Sequence, residues 1–173
     1  MTGKTKISQS VINYFAGNNW RALIFENLPV VNIQFVGKNA TWTCSAYTYD
    51  DREQLAFYSD IPLLVSKDKR NIMSEFLTRA NFGQILGNWE YDLDLGKIRF
   101  KTSIDVEGME ISTQSLNQVI FTNVLTADKY IPGIRSILER DLTPLEAINL
   151  IEKTDIPKED TSKDVNFEKI QPN

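Results

Sequence analysis

The stretch NWEYDLDLGKIRF, residues 88–100, places acidic side chains at every second position, then a glycine, then basic side chains. This spacing suits either a metal-binding loop or a turn between two strands. A calcium loop requires glycine at its sixth position and a bidentate glutamate at its twelfth. Counted from Glu90, these positions hold Leu95 and Lys101. The stretch therefore lacks the calcium-binding pattern.

A β-hairpin explains the same stretch, because residues directly opposite in an antiparallel pair point to the same face. If Leu95 and Gly96 form a two-residue loop, three oppositely charged pairs result: Asp94 with Lys97, Asp92 with Arg99, and Glu90 with Lys101. The same register puts three pairs on the other face: Leu93 with Ile98, Tyr91 with Phe100, and Trp89 with Thr102. We therefore predict a hairpin with one apolar face and one solvated, charged face.

The residues before this hairpin change from a helical period to a period of two. Apolar residues at helical spacing predict a first helix from Ile7, with Ser8 as its cap and Gly17 at its end. Alternating residues then predict three antiparallel strands: 31–35, 41–49 and 54–60. The side of Trp42 is the expected core face of the sheet.

Three further helices complete the predicted fold. The second helix has an apolar stripe of Ile72, Met73, Phe76, Leu77 and Ala80. The third, around residues 115–125, is expected to end before a break at Pro132 and Gly133. A capping-box pattern predicts the start of a short last helix: Thr143, Pro144 and Glu146.

These elements predict a single α+β domain over residues 1–152, an antiparallel sheet with packed helices in the order α-β-β-β-α-β-β-α plus a short C-terminal helix. Residues 153–173 have mixed charge and few apolar side chains, so we expect a disordered tail there.

The composition excludes many kinds of catalysis. The chain contains no histidine, which removes histidine-activated nucleophiles and most catalytic zinc sites. Its single cysteine, Cys44, lies between Trp42 and Ala46 on the predicted core face, which favours a buried thiol over a nucleophile. No motif indicates a cofactor or a metal.

The charge and hydropathy of the chain limit the classes of partner that we expect. The chain has 19 basic and 23 acidic residues, a net charge of −4, so no long-range field attracts phosphate backbones, and we expect no nucleic-acid partner. No stretch approaches the ~18 apolar residues of a membrane helix, and no signal-peptide pattern occurs. We therefore expect a cytoplasmic protein without a membrane partner.

Three tyrosines are the candidate partner-binding residues: Tyr47, Tyr49 and Tyr58. Strand alternation places them on the less apolar face of the sheet. Tyrosine suits interfaces, because it combines apolar area with a hydroxyl group. Partial cover by the tail or by a loop is an equally good explanation of their position.

Three stretches of the chain resemble the YbjN family, bacterial proteins labelled as sensory transduction regulators: YSDIPLLVSKDKRNIMSEFLTRAN (58–81), LGNWEYDLDLGKIRFKTSID (86–105) and YIPGIRSILERDLTPLEAI (130–148). The matching features include Arg70 in the second helix, Gly96 at the hairpin turn, and Tyr130, Pro132 and Gly133 before the last helices. The element order resembles the class I type III secretion chaperone fold.

The resemblance implies a non-enzymatic, regulatory or chaperone-like protein that forms a homodimer and binds a protein or peptide client. The family has no catalytic motif that could be assigned to residues of this chain. The competing hypothesis is a small-molecule sensor, or an enzyme whose unfamiliar site consists of carboxylates, lysines and tyrosines.

Overall fold

The structure, a computed structural model, describes residues 5–25 and 28–152. The helices are α1 (Ile7–Gly17), α2 (Arg70–Asn81), α3 (Thr113–Arg140) and α4 (Pro144–Glu152). The strands are β1 (Ala22–Ile24), β2 (Val30–Val36), β3 (Thr41–Tyr49), β4 (Gln54–Leu64), β5 (Asn88–Asp92) and β6 (Lys97–Asp105). They form one antiparallel sheet in the order β1-β2-β3-β4-β6-β5.

The predicted α+β class and element order are confirmed. The structure adds β1, a three-residue edge strand that the sequence analysis did not predict. It also extends β4 through Pro62 to Leu64, past an irregularity in its pairing with β6. The predicted tail, 153–173, lies outside the described residues and stays a prediction.

One face of the sheet carries the core, as the alternation predicts. Large side chains on this face are almost completely buried: Val31, Ile33, Trp42, Leu55, Phe57, Trp89, Ile98 and Phe100. Helix α1 packs on β3, α2 on β5, and α3 on β4 and β6, while α4 packs on α2 and α3. All four helices therefore lie on this side of the sheet, and α1, α2 and α3 pack directly against it.

The hairpin has the predicted faces in a register that differs from the predicted one by two residues. Asp92 faces Lys97, two positions earlier than predicted, and the loop consists of four residues, 93–96. The predicted pairing of Leu93 with Ile98 is therefore wrong, and Leu93 is an exposed loop residue. A shift of two residues preserves which way every strand side chain points.

The Asp92 carboxylate explains the longer loop. Its Oδ1 accepts hydrogen bonds from the backbone N–H groups of Asp94 at 2.9 Å and Leu95 at 2.8 Å. The Asp92 carbonyl accepts another from the N–H of Gly96 at 2.8 Å. Aspartate favours such turns, because its short side chain bonds the backbone that follows it. This local chemistry outweighs the charge pairing that a two-residue loop would give.

The hairpin turn is attached to the junction of β4 and α2. The Val65 N–H donates to the Gly96 carbonyl at 2.9 Å, and Arg70 Nη2 donates to the Asp94 carbonyl at 2.8 Å. Gly96 has φ +71°, and a Cβ there would meet the carbonyl oxygen of Val65. Only glycine therefore suits this position.

Two predicted helix starts have different outcomes. Ser8 is not a cap, because α1 already begins at Ile7. Instead Asp50, at the end of β3, accepts hydrogen bonds from the Ser8 N–H at 2.9 Å and the Ser8 hydroxyl at 2.6 Å. The capping box of α4 is confirmed: Glu146 Oε2 accepts from the Thr143 N–H at 2.9 Å, and Thr143 Oγ1 accepts from the Glu146 N–H at 3.3 Å.

The apolar stripe of α2 is confirmed except at one residue. Met73, Phe76, Leu77 and Ala80 are buried, whereas Ile72 is 43% exposed. The four buried side chains already fill the core-facing stripe of the helix, so Ile72 points to one side of it.

The predicted break at Pro132 is wrong, because α3 runs without interruption through it to Arg140. Proline has no N–H and leaves the carbonyl four residues earlier, that of Asp128, without its helical donor. Asn39 supplies the missing donor, since its Nδ2 lies 2.9 Å from the Asp128 carbonyl oxygen. The Asp128 carboxylate in turn accepts from the backbone N–H groups of Lys38 and Asn39.

Gly133 does not break α3 either, because it is the point where three helices meet. A Cβ at this position would meet Cδ1 of Ile151 in α4 and would lie 2.9 Å from Cζ of Phe76 in α2. The glycine therefore permits the close packing of α2 and α4 on α3.

A buried asparagine fixes α3 on the sheet. Asn123 Nδ2 donates to the carbonyl oxygens of Phe57 in β4 and Phe100 in β6, both at 3.0 Å. Thr102 adds a second link from β6, since its hydroxyl donates to the Val119 carbonyl at 2.9 Å. These bonds satisfy strand carbonyls beneath the helix and determine where α3 crosses the sheet.

Cys44 lies in the core, as predicted. Cys44 is completely buried, and its Sγ lies 3.4 Å from the Ser59 hydroxyl oxygen. Burial raises the pKa of the Cys44 thiol to about 12. The reactive thiolate is therefore scarce at neutral pH.

Replacing Gly133 with alanine tests the helix junction. We expect Gly133→Ala to lower the free energy of unfolding by about 1–3 kcal/mol, the usual cost of overpacking a core. Gly17→Ala is the matched control, since a Cβ at Gly17 meets nothing within 4 Å. Urea unfolding of both variants measures the difference, and equal stabilities would contradict the packing described for Gly133.

The thiol of Cys44 provides a test of the core. We expect native protein to react with a thiol reagent only as fast as it unfolds, and the rate to stay nearly constant between pH 7 and pH 9, because unfolding and not deprotonation of the thiol limits the reaction. Protein unfolded in urea should react rapidly at one thiol per chain. Rapid labelling of the native protein would show that Cys44 is accessible.

Candidate partner-binding face

The face of the sheet opposite the helices, which we call the outer face, is open to solvent in the part of the chain that the structure describes. Its strand residues alternate with those of the core and include Asn32, Gln34, Thr43, Ser45, Tyr47, Tyr49, Gln54, Ala56, Tyr58, Asp60, Glu90, Asp92, Lys97, Arg99, Lys101, Ser103 and Asp105. Most are half-buried or exposed, whereas Ser45 is 7% exposed and forms part of the floor. The strand register thus places Tyr47, Tyr49 and Tyr58 on one face.

Two of the three tyrosines contact each other. The rings of Tyr47 in β3 and Tyr58 in β4 lie 5.5 Å apart, edge to face. Small residues stand directly opposite each of them, Ala56 opposite Tyr47 and Ser45 opposite Tyr58, which leaves the rings room to meet diagonally. Tyr49 lies at the end of β3, where the Arg52 guanidinium is 5.9 Å from its ring.

Arg99 in β6 extends this contact across the sheet. Its guanidinium carbon lies 4.2 Å from the centroid of the Tyr58 ring, a cation–π geometry. Arg99 also bonds Glu90 in β5, with Nε and Nη2 each 2.7 Å from Oε2. Tyr47, Tyr58, Arg99 and Glu90 therefore form a continuous row across four strands, which we call the cross-strand row.

The charges of the cross-strand row hold it together. Burial raises the pKa of Glu90, but hydrogen bonds from Lys101 and Arg99 outweigh this effect, and the resulting pKa lies below the usual value. Lys101 Nζ lies 3.1 Å from Glu90 Oε1. Burial raises the pKa of the Tyr58 hydroxyl, and the nearby Glu90 carboxylate adds to the shift. At neutral pH, Glu90 is thus ionised and Tyr58 keeps its proton.

The outer face is grooved. A concavity of about 440 Å³ is lined by charged residues, Asp60, Glu90, Asp92, Lys97 and Arg99, together with Tyr91, Leu95 and Ile98. A second, of about 560 Å³, shares Asp60 and Lys97 with it and continues over Ser45 and Thr43 toward β2. A third, of about 210 Å³, is bordered by Tyr49 and Ala56. Together they leave room for side chains along the sheet.

Part of the cross-strand row was not expected from the sequence. The hairpin analysis placed Glu90 and Arg99 on the charged face but paired each with a different residue. Their contact with Tyr58 depends on β4 lying beside β6, and no short-range signal gives that strand order. The alternation alone identified the face.

No group of three or more metal-binding side chains occurs within residues 5–25 and 28–152. Over the same ranges, no helix has the length and apolar character needed to cross a membrane.

No family model matches this chain, and no curated protein matches its sequence. Solved structures do match its fold. YbjN from E. coli, a candidate transcription regulator, superposes with a TM-score of 0.56 at 9% identity, over 72% of this chain and 89% of YbjN. The predicted resemblance to the YbjN fold is therefore confirmed.

Two complexes superpose less well. The HopA1–SchA chaperone–effector complex gives a TM-score of 0.47 at 14% identity, over 70% of this chain and 91% of the matched chain. The ExsC–ExsE complex gives 0.44 at 13% identity, over 73% of this chain and 94% of the matched chain.

Proposed function

We propose that this protein is a non-enzymatic, cytoplasmic module of regulatory or chaperone-like type, which binds a segment of another polypeptide on its outer face. The cross-strand row is the observation that carries this proposal. The fold it shares with YbjN is compatible with the proposal but does not by itself define a function.

The row has the composition of an interaction surface. Tyrosine and arginine are enriched where proteins meet, because each joins a flat apolar body to a polar tip. Tyr47 and Tyr58 are half-buried, so part of each ring remains available to a partner. The stacking of Arg99 on Tyr58, and its bonds to Glu90, fix these side chains before binding. Such preorganisation lowers the entropy that binding costs.

The charges on the outer face favour a polypeptide of mixed charge over a nucleic acid. Its basic residues, Lys97, Arg99 and Lys101, are balanced by acidic ones: Asp60, Glu90, Asp92 and Asp105. A phosphate backbone would need a predominantly positive surface. An extended peptide can instead place its own charges beside residues of opposite sign along the grooves.

A small-molecule sensor or an enzyme with a carboxylate site is the second candidate, and Asp60 is the observation that favours it. Burial raises the pKa of Asp60, although Arg99 and Lys97 lower it. Shifted carboxylates in a concavity are typical of reactive sites. However, Asp60 as a residue is exposed, so solvent screens its interactions. We therefore favour the polypeptide.

Co-purification tests the proposal. Tagged full-length protein is isolated from its native lysate, and the retained species are identified by mass spectrometry. We expect one polypeptide to be retained reproducibly. Retention of only a metabolite would favour the sensor or enzyme, and would contradict the polypeptide-binding proposal.

Variants of the tyrosines then locate the binding site. We expect Tyr47→Ser/Tyr58→Ser to weaken the affinity for the recovered polypeptide at least about tenfold, because central aromatic residues usually dominate an interface. Leu145→Ser, at an exposed position on α4, is the control and should bind like the wild type. Titration calorimetry measures the dissociation constants. Equal values for both variants would place the site elsewhere.

A further inference from the structure

The pairing of β3 with β4 stops before either strand ends. Its last pair is Thr43 with Asp60, although β3 begins at Thr41 and β4 continues to Leu64. A regular register would next pair Thr41 with Pro62, but proline has no N–H to donate to a neighbouring strand. The concavity of about 560 Å³ lies at this place, because it is lined by the unpaired residues of both strands.

The pairing of β4 with β6 is irregular at the same proline. Asp60 stands opposite Arg99, and a regular register would place Lys97 opposite Pro62. The irregularity instead places Lys97 opposite Leu64, which is further from Asp60 along β4. The strand register thus moves a lysine away from Asp60.

The carboxylate of Asp60 has no hydrogen bond or ion pair within residues 5–25 and 28–152. Neighbouring acids of the outer face do have partners, since Glu90 bonds Arg99, and Asp92 bonds the N–H groups of its own turn. Burial raises the pKa of Asp60, and the charges of Arg99 and Lys97 oppose this shift without either forming an ion pair with it. A partly desolvated carboxylate of this kind is stabilised by a cation that approaches it.

Apolar side chains flank Asp60 toward the hairpin turn. Strand alternation places Pro62 and Leu64 on the face of Asp60, and Leu64 is 69% exposed. Leu95 in the turn is 61% exposed and borders the concavity of about 440 Å³. We define the Asp60 groove as these two concavities, which meet at Asp60 and Lys97. It joins an apolar wall to an unpaired carboxylate.

We propose that the Asp60 groove receives a lysine or arginine of the bound polypeptide, together with an apolar side chain of the same segment on Pro62 and Leu64. This inference rests on the proposed function and specifies which residues the outer face recognises. Lysine and arginine carry a cation on a long aliphatic stem, so they match an apolar wall that leads to a carboxylate. In an extended segment, side chains two residues apart point the same way. The preferred segment is therefore basic at one position and apolar two residues away.

The cations beside the groove are already balanced by other acids. Arg99 stands opposite both Asp60 and Glu90 but bonds only Glu90. Lys97 stands opposite Asp92 in β5, where opposite charges stabilise each other across the strands. The groove therefore favours an incoming cation at Asp60 over an incoming carboxylate.

Selection from a display library of random peptides tests this inference without knowledge of the natural partner. Immobilised full-length wild type should enrich peptides in which lysine or arginine stands two residues from an apolar residue. Asp60→Lys should reverse the preference and enrich aspartate or glutamate at that position, because it replaces the carboxylate with a cation. Asp51→Lys is the matched control, since it makes the same change of charge in the exposed turn at the other end of β3, and it should select like the wild type.

The affinity for one peptide enriched by the wild type provides a second readout. We expect Asp60→Asn, which keeps the size of the side chain, to weaken binding about threefold, as for the loss of a partly exposed ion pair. Asp51→Asn should leave the dissociation constant unchanged. Fluorescence anisotropy measures both values. If urea unfolding shows that Asp60→Lys does not fold, the measurement on Asp60→Asn decides.

The inference and the proposed function fail in different ways. Selected peptides without a basic residue, a preference that Asp60→Lys leaves unchanged, or equal affinities for Asp60→Asn and the wild type would overturn the inference and leave polypeptide binding intact. A wild type that enriches no peptide would contradict the proposed function itself.

Discussion

The hydrogen bonds from Asn123 to the carbonyl oxygens of Phe57 and Phe100 determine the arrangement of this protein. They hold α3, a helix of 28 residues, across the neighbouring strands β4 and β6. Helices α2 and α4 pack against α3 at Gly133, and α1 contacts its other end. All helices thus lie on one side of the sheet, and the outer face is left open in the described part of the chain. The proposed function depends on this one-sided packing.

Each strand contributes alternate residues to the core face and to the outer face of the sheet, and the two faces have different physical requirements. On the core side, Phe57, Phe100 and Trp89 supply apolar area, which stabilises the fold by about 25 cal/mol for each Å² buried. The residues between them are free of that constraint. In β4 and β6 two of these intervening residues are Tyr58 and Arg99, which the rigid sheet holds in contact. The scaffold therefore fixes the cross-strand row, and no element within residues 5–25 and 28–152 covers it.

The sequence predicts which face of the sheet each strand residue occupies. It predicts the pairing register of the hairpin and the ends of the helices less well. A period of two is a local property, and it placed Tyr47 and Tyr58 on one face correctly. The hairpin register depended on the bonds that Asp92 makes within its own turn. The continuity of α3 through Pro132 depended on Asn39, a residue distant in the sequence. Long-range contacts of this kind leave no periodic signal.

The loop between α2 and β5 illustrates the same limit. Phe82 precedes Gly83, and Ile85 and Leu86 precede Gly87; these apolar residues have the composition of a buried segment, and only the structure shows them exposed. Whether an apolar loop residue is covered depends on the position of the neighbouring helix. The sequence therefore gives no sign that α3 leaves this loop uncovered.

The most direct test of the central claim is to map the binding surface by NMR, with isotope-labelled full-length protein and the polypeptide that it retains. The account predicts that amide shifts change most along β3, β4 and β6, around Tyr47, Tyr58 and Arg99. Shift changes confined to α2 and α4, with the residues of the outer face in β3, β4 and β6 unaffected, would contradict it.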